Sequence, residues 1–322
     1  MIEDLDGCLP PTLRGPATRI ARVSAGFSGA GVYRVDAGTE SFALKVAPDT
    51  EPVVDWRSKL RIQQLAADAG LAPRIVHVDE TRRAVLSEFV TDRSFAALYG
   101  DPRTREAAIT QLGKTIRRVH ELPLTVDADE KEARDFLIRV WSGLAGSFPM
   151  PAFVGDAVAR VLGERPPESD RALVLSHNDV NPTNLVHDGE TLLLLDWEMA
   201  GANDPFFDLA AIAVFMRMDA DSCRTLLGAY ESDVVSTLPT RFDYNRRLMA
   251  VLVGVNFLQV ARQSGHRGAT GAETLEATSS LGEFYQRLRT GALAVSTAEG
   301  QWQFGLSMAK ESLALRGDTP DR

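Results

Sequence analysis

The chain has 322 residues, 44% hydrophobic and 25% charged, with a net charge of -9. That length exceeds one ordinary core, so one two-lobed unit or two domains is expected, and the acidic balance disfavours nucleic acid as a partner. The distant pair Cys8 and Cys223 supplies neither a disulfide framework nor metal-ligand spacing, so a reducing cytoplasm is expected. The start MIEDLDGCLPPTL is acidic, unlike a signal peptide, and no stretch nears the ~20 apolar residues of a membrane span.

Periodicity begins at Ile20. Residues 21–25, 32–35 and 42–46 read as strands, with a hairpin over 36–39. Gly26, Gly29 and Gly31, with Ser28, form a turn whose backbone N–H groups can cover phosphates; taken alone, a tight hairpin is an equal reading. Lys45 shifts that balance, because it interrupts the apolar run FALKV, where an unpaired ammonium is costly. A strand lysine after a glycine turn can reach a nucleotide's phosphates; the alternative is an edge lysine snorkelling to water. A helix follows over 54–69, with Trp56, Leu60, Leu65 and Ala69 on one face, stopped by Gly70 and Pro73. Strands over 75–78 and 84–89 and a connector to Ser94 complete a small sheet with one helix, ending near residue 92.

Helices then dominate. The spacing predicts them from Asp101 to Pro123 and over 136–148, 210–217, 222–232, 245–264, 273–293 and 302–315. His120 reads as a packed histidine rather than a ligand. Pro149, Pro151, Pro166 and Pro167 punctuate the approach to the stretch 174–209, around which the chain is organised.

In that stretch polar residues stand between apolar runs. The spacing His177-x-Asp179-x-x-x-x-Asn184 puts an acid and an amide on one loop, and the run 192–195 ends in Asp196-Trp197-Glu198. Carboxylates at the end of a buried strand need a cation, and Asp and Asn oxygens suit magnesium. A loop carboxylate, a loop amide and a strand-end carboxylate together make a general base and a metal cradle. Phosphoryl transfer requires that division of labour.

The loop resembles the catalytic loop of the protein-kinase-like superfamily, in its aminoglycoside phosphotransferase and choline kinase branch. The run 196–205 with Asp208-Leu209 is similar to bacterial choline/ethanolamine kinases, while 26–30 and 69–73 are shared across the wider group. The resemblance spans about residues 20–300. It implies an α+β, bilobal kinase-like fold: a nucleotide-binding lobe over 1–92, a small antiparallel sheet with one helix, and a larger, mainly helical catalytic and acceptor lobe over 93–322. It implies ATP and Mg2+ as cofactors. Asp179 is then the base, with Glu198 orienting it or serving a second metal, and Asn184 and Asp196 hold magnesium. Lys45 pairs with the α- and β-phosphates under the turn of Gly26, Ser28, Gly29 and Gly31, and Glu88 to Val90 offer backbone groups to adenine. His177 braces the loop; Asp208 does so too, or caps the next helix.

One departure stands out. The family's N-lobe helix usually carries a glutamate that pairs with the strand lysine, whereas 54–69 holds only Asp55 and Asp68, with Glu51 just before it. Either Asp55 or Glu51 substitutes, or Lys45 is held differently. The acceptor expected is a small cationic amino alcohol such as choline or ethanolamine, and Phe257, Phe284 and Trp302 are the rings nominated to face its ammonium, with core packing the alternative for each. An aminoglycoside or other small-molecule kinase of the same fold is the second reading, and an inactive nucleotide-binding pseudokinase the third. Monomer and homodimer are both compatible with the sequence.

Overall fold

The computed structural model describes residues 4–23, 31–92, 95–124, 132–169 and 171–315. They divide into two compact units, one of residues 1–129 with 174–202, the other of 130–173 with 203–322. The boundary expected at residue 92 falls inside the first unit, because the stretch 174–202 groups with the sheet.

The first unit opens with an antiparallel sheet in the order β1-β2-β3-β5-β4, comprising β1 (Arg19–Arg22), β2 (Gly31–Ala37), β3 (Glu40–Val46), β4 (Ile75–Asp79) and β5 (Ala84–Glu88). Alternation along β3 decides its faces. Phe42, Leu44 and Val46 are buried with Val35, Ala84 and Leu86 in one core cluster, each such side chain contributing roughly 1.5–3 kcal/mol. Lys45, one residue out of step, is carried on the opposite face, paired in register with Val32 and Val85. Helix α1 (Val53–Asp68) buries Trp56, Ile62 and Ala66. It ends in a Schellman motif: Gly70, at φ +66, donates to Ala67 O and Leu71 donates to Ala66 O.

Two helices and four short strands complete this unit. They are α2 (Phe95–Gly100), α3 (Arg105–His120), β7 (Leu185–His187), β8 (Leu192–Leu194) and, on either side of that hairpin, β6 (Val174–Ser176) paired with β9 (Gly201–Asn203). Asp188 ties the β7–β8 turn, its Oδ1 accepting from the backbones of Glu190 and Thr191 at 2.8 Å each. Val90 and Glu88 lead to Asp92, whose carboxylate accepts from His187 N at 3.0 Å and Phe95 N at 3.3 Å. The connector is thereby fastened to the hairpin.

The second unit is helical: α4 (Ala133–Leu144), α5 (Ala152–Gly163), α6 (Phe206–Phe215), α7 (Ala220–Glu231), α8 (Thr240–Gln263), α9 (Leu281–Arg289) and α10 (Ala298–Ala314). Its core runs along α8, where Leu248, Val251, Val255 and Leu258 meet Trp302 and Leu306 of α10 and Val154 and Val158 of α5. Backbones of α8 and α10 approach so closely at Gly254 and Gly305 that a Cβ on either would lie within 3.0 Å of the other's carbonyl. Several boundaries differ from expectation. Helix α5 lies where prolines suggested only punctuation, because Pro151 is its N-cap rather than a breaker. Pro239 likewise starts α8 at Thr240, and the helix expected over 273–293 is confined to α9, whose Ser280–Glu283 capping box sets its start.

Candidate active site

The site residues of the first unit are assembled by two left-handed backbone positions. After β6 the chain passes through His177 to Asn178, at φ +63, and after β8 through Asp196, also at φ +63. Such a conformation is uncommon outside glycine and concentrates at functional sites. Asn178 is suited to it, its amide donating to Met199 O at 3.1 Å and Gly201 O at 3.3 Å, so the two turns are tied together.

His177 is fully buried and braces both turns. Its Nδ1 faces the Asp179 N–H at 3.3 Å and so acts as acceptor, which places the ring proton on Nε2, 2.9 Å from Leu195 O. Trp197 packs edge-on against it at 4.8 Å between ring centroids and donates its indole N–H to Leu194 O at 3.0 Å. Asp179 is then oriented by two amides. Asn181 Nδ2 lies 3.0 Å from Oδ1 and Asn184 Nδ2 2.8 Å from Oδ2. The backbone bond from Leu195 N to Asn184 O, 2.8 Å, sets Asn184 beside the strand end that carries Asp196.

Lys45 arrives from the sheet. Its Nζ lies 2.7 Å from Asp196 Oδ1 and 2.7 Å from Glu198 Oε1. Burial alone would lower the ammonium's pKa, but the two carboxylates outweigh it and hold it above its ordinary value. The acids nominated from the α1 side are elsewhere: Glu51 is bound to Lys59 at 2.5 Å, and Asp55 is exposed. The strand lysine is held by the acids that follow β8.

The sequence of the phosphotransferase enzyme family matches residues 19–243, a span that contains every residue of this assembly. The chain belongs to that family. Protein LicA of Haemophilus influenzae is 37% identical over 75 residues, 23% of this chain; the alignment spans only 28% of that protein. A choline/ethanolamine kinase family protein from Mesorhizobium loti superposes with a TM-score of 0.60 at 19% identity, covering 93% of this chain and 96% of that one. The macrolide 2'-phosphotransferase MphH from Brachybacterium faecium superposes with a TM-score of 0.58 at 14% identity, covering 79% of this chain and 89% of that one. These likenesses show the fold, the expected α+β, kinase-like one.

Other expected site residues of this phosphotransferase fare differently. Gly26, Ser28 and Gly29 lie outside the described residues, and Gly31 opens β2. The Glu88 side chain turns to Arg74, at 2.6 Å, so only its backbone is directed elsewhere. The aromatic face nominated for the acceptor is not formed. Trp302 is buried against His266, stacked at 4.5 Å, and Phe148, while Phe284 is buried against Phe304 in a different cluster that also takes Phe257. Rings at helical spacing here serve packing, which is their commoner use. Sequence reasoning missed Asn181 and Trp197, which orient the acid and clamp the second turn; an Asn next to Asp179-Val180 and ahead of Pro182 was the available signal for the first.

The donor set fits magnesium. An amide facing a carboxylate must present its N–H groups, so Asn184 directs Oδ1 away from Asp179, and Asp196 offers a carboxylate next to it. An amide oxygen and a carboxylate are the hard oxygen donors that magnesium takes at nucleotide sites, where phosphates and water would supply the rest. Among the described residues no group of three His, Cys, Asp or Glu side chains is placed to hold a metal. No described helix is long and apolar enough to cross a membrane.

Proposed function

We propose that this phosphotransferase moves the γ-phosphate of ATP to the hydroxyl of a small amino alcohol such as choline or ethanolamine. The observation that carries the reading is the single assembly of Asp179, Asn184, Asp196 and Lys45, joined through bonds of 2.7–2.8 Å. Asp179 takes the acceptor's proton on a carboxylate oxygen, its orientation fixed by Asn181 and Asn184. Lys45 moves from Asp196 to the α- and β-phosphates as nucleotide binds. Asn184 and Asp196 hold magnesium, which when bound neutralises charge on the phosphates. Little covalent work is left for the protein beyond positioning and charge.

Support for the amino alcohol comes from the run 196–209 and from the two kinds of kinase-like relative, one of which bears choline/ethanolamine in its name. ADP release measured with choline, ethanolamine, an aminoglycoside and a macrolide tests the reading. Stimulation by an amino alcohol is expected; stimulation only by the antibiotics would replace it with the second reading, and none by any acceptor would favour an inactive nucleotide binder.

A further inference from the structure

The small cavity beneath β3 holds two ammonium groups and three carboxylates, arranged as two closed sets. Lys59 takes Glu51, and Lys45 takes Asp196 and Glu198. No acid of α1 is available to Lys45, since Asp55 is exposed and Asp68 accepts from Gln64. Position 59, which faces the cavity from α1, carries a cation itself.

Asp196 is the acid that a metal-bound nucleotide also claims. Once it turns to the metal, a lysine 27% exposed has the phosphates as its counter-charge, and only a carboxylate that stays behind can aim it at them. Glu198 is the one placed to stay. It sits two residues beyond Asp196, in the 3-10 turn Trp197–Met199, and the left-handed Asp196 sends side chains 196 and 198 to the same ammonium. Trp197 between them points inward, 3% exposed, fixed by Leu194 O and the His177 ring. The aim of Glu198 is therefore set by a buried anchor rather than by a flexible surface turn.

We propose that Glu198 is the positioning residue for Lys45, taking from the catalytic turn the role of counter-charge that α1 does not supply. This rests on the roles given above to Asp196 and Lys45. Glu198 acts through Lys45 and not as a ligand of a second metal.

Titration of the magnesium complex of a non-hydrolysable ATP analogue into the full chain tests this without turnover. Glu198→Gln keeps the shape and removes the charge, and should weaken binding about tenfold with magnesium, as expected for truncating one side of a partly buried charge pair. In EDTA, where Asp196 remains on Lys45, the same variant should bind the analogue within about twofold of the parent. In a Lys45→Met background Glu198→Gln should add nothing, because its effect runs through the lysine. In turnover the loss should fall on KM for ATP rather than on kcat, with the magnesium requirement at saturating nucleotide unchanged. Equal weakening with and without magnesium, full additivity with Lys45→Met, or a raised magnesium requirement would each overturn the proposal. Failure of the parent chain to bind the analogue at all would instead strike the nucleotide reading beneath it, and the proposal with it. Melting curves of each variant separate a folding defect from these outcomes.

Discussion

Asn184 turns its amide onto Asp179, with Nδ2 2.8 Å from Oδ2 and 3.0 Å from the Asp179 carbonyl. One side chain thus fixes the Asp179 carboxylate with its nitrogen and leaves its oxygen for the metal position proposed beside it. Replacing Asn184 with Asp would set acid against acid and remove the donor, a repulsion that disfavours two charged carboxylates sharing a site. Asn184→Asp should lower kcat on the order of a hundredfold and raise the magnesium needed for half-maximal rate. Steady-state rates over a magnesium series check both effects; unchanged values would detach Asn184 from the site.

On the proposed reading Asp196 has two duties: it holds Lys45 here and would hold magnesium once nucleotide is bound. Asp196→Ala should therefore abolish the magnesium-dependent part of nucleotide affinity while leaving affinity in EDTA the same or higher, since Lys45 is freed of one acid. Calorimetric titration with and without magnesium reads this directly.

The β7–β8 turn places Asn184 and Asp196 at the two ends of one hairpin, and Asp188 fastens it. Backbone N–H groups of Thr191 and Glu190 hold the Asp188 carboxyl down to a pKa of about 2. A depressed carboxylate contributes stability above its unfolded value of 3.8, and the contribution fades as pH falls toward 2. Because Asp188 is exposed, about 1 kcal/mol is the most expected, or roughly 2–3 °C in Tm. The Tm gap between parent and Asp188→Ala should be full at pH 6 and narrow below pH 4 in melting experiments.

Trp302 separates packing from acceptor recognition. It is 1% exposed between His266 and Phe148, so Trp302→Ala should cost about 3–5 kcal/mol as a cavity in the core. Thermal melts should show that loss, while the acceptor KM of the surviving folded enzyme stays near that of the parent. A selective rise in acceptor KM without loss of stability would return the ring to the acceptor site.

The loop after β6 was legible because its polar residues interrupt apolar runs, a costly pattern without a functional reason. The sheet was legible because FALKV alternates, although alternation also puts Lys45 on the face opposite the core, which the apolar run had obscured. What holds Lys45 could not be read. Its partner Asp196 is 151 residues away, and the contact depends on a left-handed residue that no local propensity announces. Helix α5 was hidden because a proline at an N-cap and a proline that breaks a helix look alike in sequence. The acceptor rings were misplaced for the opposite reason: periodicity located Phe284 and Trp302 on helices correctly but said nothing about which face the core would take.

Transfer of labelled γ-phosphate from ATP to choline, compared between the parent and Asp179→Asn, tests the central claim most directly. The parent should form labelled phosphocholine in the presence of magnesium. Asp179→Asn should lose about 10²–10⁴-fold in rate while binding the magnesium–nucleotide complex within a few-fold of the parent. An Asp179→Asn variant that transfers phosphate at the parental rate would contradict the account.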